Sequence, residues 1–303
     1  MNVKLLLFTV LPLLGLSACR SGPNSTGSPG TPVASVPPSS PSISVPNADT
    51  KQNWGQVVRD TIKNEIDEEA KDSSQWCYHK LQEKDGKQQL FLACQAKDAE
   101  IDRLLAVNGN ILDEKQREAE NHRIESLLKN QGQLKKQAQQ QHDDATQATN
   151  MLKLIPDAFL FQMEGREGDQ VKLNFKPNPA FRPSGHEAEV FHHMEGTLVL
   201  DLKEKRLAEI NGRLDSAVKF GGGLLGHLDK GGTFVVKQQE VGSGVWEVTT
   251  LNVQMNGKAL FFKTITVRQK ESDSEFKAVP QSVTIQQAAV MTKDKQKEVS
   301  AQR

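Results

Sequence analysis

The chain has 303 residues, with 38 Lys and Arg against 38 Asp and Glu, and is 36% hydrophobic and 25% charged. A zero formal charge and a pI near 7.1 remove the long-range positive field that gathers phosphates, which argues against a nucleic-acid partner. With a mean hydropathy of −0.55, only the extreme N-terminus is apolar enough to concern a membrane, and the length suits one large or two small domains.

Lys4 supplies a short positive region, and residues 5–16 are apolar apart from Thr9, Pro12 and Gly15. This run suits a secretory signal and falls short of the ~20 residues that span a bilayer. It ends in Leu16-Ser17-Ala18-Cys19. A pair of small residues before a cysteine, directly after the apolar run, resembles the lipobox of bacterial lipoproteins. The resemblance implies a signal peptide over residues 1–18, cleavage before Cys19, and acylation of the Cys19 thiol and its new amine. Several acyl chains, at ~0.8 kcal/mol per buried CH₂, hold a protein on a membrane essentially permanently. Arg20 follows where an Asp would signal inner-membrane retention, so the expected address is the outer membrane, facing the periplasm.

Residues 19–50 read as the lipidated cysteine and a disordered tether. Between 20 and 48 there are 7 Pro, 8 Ser and 3 Gly, with Arg20 the only charge. Such a stretch buries too little apolar area to repay its ordering entropy.

The folded part is expected over residues 51–291 as a single α+β domain. Trp54, Val57, Val58, Thr61, Ile62 and Ile66 recur at three- and four-residue steps, predicting an amphipathic helix with Asn53 as N-cap. Asp67-Glu68-Glu69 reads as its solvated end. Asp85-Gly86 between two alternating runs predicts a β-hairpin. Residues 101–112 read as a further strand turning at Asn108-Gly109. Residues 113–150 are helical but polar, with seven acids, six bases and eight Gln, and read as an inserted solvated helix or two helices interrupted at Gly132. A heptad seam is missing from it.

After Pro156 the pattern is almost entirely β. Val171, Leu173 and Phe175 alternate after a turn at 165–168. Strands at 197–202 and 207–214 flank a charged turn, and strands at 233–240 and 245–255 flank Gly242-Ser243-Gly244. Asn256-Gly257 reads as a turn into a strand at 259–268. Residues 275–280 read as an edge strand and 283–291 as a short helix, with a frayed charged tail over 292–303.

This order, an amphipathic helix followed by an antiparallel meander with an inserted helical segment, resembles the LolA/LppX-type envelope lipoprotein carriers. The resemblance covers roughly residues 54–291 and is one of pattern. It implies an antiparallel sheet curved into a half-barrel, with helices on its concave side enclosing an apolar cavity for an acyl chain or other hydrophobic ligand. The alternatives are a structural or interaction protein with the same sheet filled by its own side chains, and, less favoured, an envelope hydrolase.

Chemical motifs are sparse. Gly221, Gly223 and Gly226 satisfy G-x-G-x-x-G, but Gly231-Gly232 and a strand follow, leaving no room for the helix whose amides would hold a pyrophosphate. Residues 220–232, with six glycines, read instead as a mobile apolar loop in which Phe220, Leu224, Leu225 and Leu228 border a ligand mouth. His186, His192 and His193 lack metal-ligand spacing, and Gly242-Ser243-Gly244 lacks that of a nucleophile elbow. The expectation is a protein that is not an enzyme, with no cofactor beyond the covalent lipid on Cys19, no metal, and the membrane as its partner.

Two cysteines remain for an oxidising compartment. Cys77 lies eight residues before Asp85 and Cys94 eight residues after Gly86, so a two-residue turn places them directly opposite. Lys84 and Lys87 close the turn as a hydrogen-bonded pair. Odd-numbered positions of the first strand then fall in non-hydrogen-bonded pairs, with Cα atoms ~4.5 Å apart, so a Cys77–Cys94 disulfide is predicted.

Overall fold

The computed structural model describes residues 52–301, except 85, 98, 184 and 260–262. The signal peptide, Cys19 and the tether lie outside the described residues. Four helices and thirteen strands follow in the order α1 (Trp54–Lys71), β1 (Gln75–Lys84), β2 (Lys87–Ala96), β3 (Ala99–Val107), β4 (Asn110–Ile111), α2 (Glu114–Lys129), α3 (Gln131–Ala158), β5 (Phe159–Glu167), β6 (Gln170–Pro177), β7 (Met194–Asp201), β8 (Arg206–Leu214), β9 (Val218–Phe220), β10 (Gly226–Leu228), β11 (Thr233–Gly242), β12 (Val245–Ala259), β13 (Lys263–Val279) and α4 (Ile285–Ala301). A 3₁₀ segment, His186–His193, precedes β7.

The strands form one curved, unclosed antiparallel sheet in the order β4-β3-β2-β1-β13-β12-β11-β8-β7-β6-β5. β10 adds to β12, and β9 to β10. The α+β half-barrel is therefore the architecture expected. Most neighbours are consecutive hairpins. Among the described residues the exceptions are β11 with β8, β10 with β12, and β13, which returns to pair with β1 and ties the N-terminal strands to the rest.

Register fixes what shares a face. Leu173, Leu198, Ile210, Val236, Leu251, Glu271 and Gln82 are paired in turn across seven strands, forming one row. The row is apolar as far as β12 and polar from β13 onward. On the apolar part pack Val58 and Ile62 of α1 and Ala148, Met151, Leu152 and Ile155 of α3. Phe159 meets Phe175 and Phe191 at ring-centroid distances of 4.6 and 5.3 Å and fills the end beside β5. Successive strand residues point to opposite faces, so Ala93 joins Trp76 and Tyr78 while Cys94 points the other way. There Cys94 and Ile101 pack against Ile124 and Leu127 of α2 and Ala288 and Ala289 of α4. Helices thus stand on both faces of the sheet.

Local signals explain the element starts. The Asn53 side chain accepts from the Gln56 amide, capping α1 as predicted. Asp113 and Gln116 form a capping box on α2. The polar insertion breaks at Asn130, which caps α3, rather than at Gly132. α3 also runs through Pro156 to Ala158. A helix tolerates this proline so near its end because the packing of Met151, Leu152 and Ile155 holds the last turns in place.

Three expectations are corrected. Asn256-Gly257 is not a turn: β12 continues to Ala259 and pairs Gly257 with Ile265. Gly257 serves close approach instead, since a Cβ there would collide with the His227 carbonyl oxygen of β10. Residues 275–279 are not a separate strand but the end of β13, where Lys277, Ala278 and Val279 pair with β1. The frayed tail is helical as far as Ala301, with Thr292 and Gln296 buried.

Candidate functional site

The Cys77–Cys94 pair lies where the hairpin arithmetic puts it. Register runs from Lys84 opposite Lys87 to Cys77 opposite Cys94, with the Cα atoms 4.1 Å apart and the sulfurs joined. Gly86 takes a φ of 77°, as the turn demands; Asp85 lies outside the described residues.

On the polar part of the other face sits a charged network that the sequence pattern did not single out. The buried Tyr78 hydroxyl donates to Glu100 Oε2 at 2.7 Å. Lys80 Nζ donates to Glu100 Oε1 at 3.0 Å and pairs with Asp102 Oδ1 at 2.6 Å. Gln82 Nε2 donates to Glu271 Oε2 at 3.1 Å, and Asp273 is paired in register with Lys80. Burial pulls the Lys80 ammonium down, but Glu100, Asp102 and Glu271 outweigh it and hold Lys80 charged. Burial and the neighbouring carboxylates push the Tyr78 phenol up. Asp102 is raised to about 7 by burial and by Glu100, against the pull of Lys80. Lys80 and Tyr78 therefore stay protonated, and burial together with Glu100 leads Asp102 to hold a proton to higher pH than an ordinary carboxylate. The Tyr78, Lys80, Glu100 and Asp102 contacts lie within β1 and β3, where same-face strand positions were the available signal; only Glu271 and Asp273 depended on β13, nearly 200 residues away.

On the opposite face Arg103 is 2% exposed. Its guanidinium donates to Thr292 Oγ1 at 3.1 Å, Asn121 Oδ1 at 2.7 Å and the Ala289 carbonyl at 3.3 Å. Burial lowers its pKa from the ordinary value, Glu120 opposing the fall. These bonds tie α4 to β3 and α2.

Residues 220–232 include the end of β9 and the whole of β10. These two short strands pair with each other, and β10 also pairs with β12. Phe220 and Leu228 are buried in the main core, Leu225 packs against it, and only Leu224 stands out, at 64% exposed. The glycines serve backbone shape, since Gly221, Gly222 and Gly223 all have positive φ. Neither cleft described below is lined by this loop.

His192 and His193 lie in the 3₁₀ segment; the His186 side chain lies outside the described residues. His193 Nδ1 is 2.8 Å from Ser216 Oγ, and that hydroxyl donates to Asp215 Oδ1 at 2.6 Å. Ser243 stands at the tip of the β11–β12 hairpin with a φ of 54°. Among the described residues no group of three or more His, Cys, Asp and Glu side chains is arranged to hold a metal ion, and no helix is long and apolar enough to cross a membrane.

The larger of two described clefts, about 450 Å³, lies between α3 and the 3₁₀ segment. Its floor is Met151, Leu154 and Ala188, continuous with the main core, and its rim is His142, Asp143, Thr146, Gln147 and Asn150. A smaller cleft of about 210 Å³ lies between the end of α1 and the β11–β12 hairpin. Its wall includes Glu69, expected in a solvated helix end but half-buried in the structure. No protein-family model, curated protein or solved structure matches the chain.

Proposed function

We propose that this chain is a bacterial cell-envelope lipoprotein, held to the outer membrane through a lipid on Cys19 and facing the periplasm. In this reading its half-barrel binds an acyl chain or another hydrophobic ligand with a polar head. The observation that carries the ligand is the cleft beside α3. Its volume of about 450 Å³ falls in the range of small-molecule sites, and its apolar floor and polar rim suit a two-part molecule. Export is supported by the apolar run 5–16, the small residues before Cys19 and the cross-linked Cys77–Cys94 hairpin, a bond that persists in oxidising compartments.

Native mass spectrometry of the full-length protein, taken from its own envelope in detergent, tests this reading. A bound mass that organic extraction removes, and that Leu154→Glu abolishes, is the expected result. A bare protein mass would overturn the ligand. The second reading, an interaction protein whose sheet is filled by its own side chains, would then stand. It is favoured by the ring-on-ring packing of Phe159, Phe175 and Phe191 under α3.

A further inference from the structure

We propose that the tip of the β9–β10 hairpin, with the adjoining parts of β12 and β13, is a contact surface for a bilayer carrying anionic lipid headgroups. This goes beyond the acyl anchor on Cys19: it is a second contact, made by the folded part itself. The chain as a whole is neutral, with 38 bases against 38 acids, but the charges are unevenly spread. Residues 216–228 and 248–270 together hold five Lys and Arg and no Asp or Glu. Register brings the two stretches together, since β10 pairs with β9 on one side and with β12 on the other.

Lys219, His227, Lys258 and Thr264 are paired in turn across β9, β10, β12 and β13, so they form one row on one face of the sheet. Lys219, Lys258 and Thr264 are exposed, and the exposed Arg268, opposite Gln254, continues the same face. Among the described residues Lys219, Lys258 and Arg268 have no carboxylate partner, whereas His227 meets Asp229 at 3.3 Å and Lys270 meets Glu83 at 3.4 Å. The acids that flank the hairpin, Asp215 and Asp229, follow its open end, where Val218 faces Leu228, and not its tip. The tip carries the apolar element. Phe220 opposite Gly226 is its last pair, and Gly226 is also opposite Ala259, which sets the tip beside the end of β12. Gly221, Gly222 and Gly223 then take positive φ, and Leu225 packs on the core while Leu224 stays 64% exposed. A Cβ on Gly222 or Gly223 would meet nothing within 4 Å, so the turn faces open space.

An exposed leucine beside exposed, unpaired bases suits a membrane surface. The bases are drawn to anionic headgroups, and the leucine enters the apolar boundary beneath them. A small free anion is held by donors that converge in a concavity, and neither described cleft is lined by these residues. The tether permits the contact: the 32 residues 19–50 span up to about 100 Å when extended, so the hairpin reaches the membrane wherever α1 begins. Three bases and one leucine bind reversibly, so this contact orients an anchored chain and does not replace its acyl groups.

The test uses the chain from residue 19 onward with Cys19→Ser, which carries no acyl group, and sedimentation with vesicles of phosphatidylethanolamine and phosphatidylglycerol. Binding is expected to these vesicles, lost at ~0.5 M NaCl, and absent with phosphatidylcholine alone. Each of Lys219→Gln, Lys258→Gln and Arg268→Gln should weaken it about fivefold, and the three together about a hundredfold. Leu224→Ser should weaken it about fivefold with no change of charge. All four side chains are exposed, so melting temperatures should stay the same, which separates loss of contact from loss of fold. No binding to the anionic vesicles, equal binding to phosphatidylcholine, or binding that the triple variant retains would overturn the proposal, and each would leave the Cys19 anchor standing. Displacement by inorganic phosphate beyond that of NaCl at equal ionic strength would assign the bases to a free anion and overturn it as well.

Discussion

Reducing the Cys77–Cys94 bond should loosen one specific seam of the sheet. The two cysteines are 17 residues apart, so loop closure in the unfolded chain is worth about 3 kcal/mol. For a domain of this size, each kcal/mol moves the melting temperature by about 2–4 °C, which predicts a fall of about 6–12 °C. The effect should also be local. β1 is held on one side by β13 and on the other by β2, and β2 carries β3, β4 and the α2–α4 layer. Weakening β1–β2 therefore releases that layer before the β5–β8 end, where α1 and α3 clamp the sheet. Calorimetry with and without reductant gives the magnitude, and hydrogen exchange of the reduced protein gives the place. Faster exchange is expected in β2 and β3 first. A melting temperature unchanged by reduction, or a uniform rise in exchange, would refute the reasoning, as would free thiols at both positions in non-reduced mass mapping.

Other outcomes follow from particular groups. Asp102 and Glu69 are both raised to about 7 in the fold, against about 4 in an unfolded chain. Between those values the folded state holds more protons, so stability should fall as pH rises from about 4 to about 7 and then level off. Melting curves across that window check this, and Asp102→Asn should flatten the slope. Deleting residues 292–303 removes Thr292 and Gln296 from Arg103, and each buried donor left open costs about 1–3 kcal/mol. Denaturant titration should show the loss, and an unchanged midpoint would mean the tail is dispensable. Gly257→Ala should cost about 1–3 kcal/mol by overpacking against β10, and a neutral effect in the same assay would contradict the close approach.

Much of the local structure was legible because its causes are local. Asp85-Gly86 fixed a two-residue hairpin and hence the cysteine register, and the Trp54–Ile66 stripe with Asn53 gave α1 and its cap. What failed depended on distant partners. Asn256-Gly257 has the composition of a turn, and only the crossing of β10 reveals why the glycine is inside a strand. The residues after Thr292 look like a solvated tail until Arg103, almost two hundred positions earlier, is seen to need acceptors. Glu271 and Asp273 join the Lys80 network only because β13 lies beside β1, and Trp246 and Arg206 meet only because β11 pairs with both β8 and β12. Side-chain chemistry gave the residue types, but the long-range pairing that assembles them leaves no periodic trace.

The central claim is that this fold works from a membrane anchor on Cys19. The most direct measurement is the intact mass of the protein extracted from membranes, with fragmentation of its N-terminus. The predicted result is a chain beginning at Cys19 with acyl groups on its thiol and amine, and a Cys19→Ser variant recovered in the soluble fraction. A mature chain beginning elsewhere with an unmodified Cys19, or unchanged membrane association of Cys19→Ser, would contradict it.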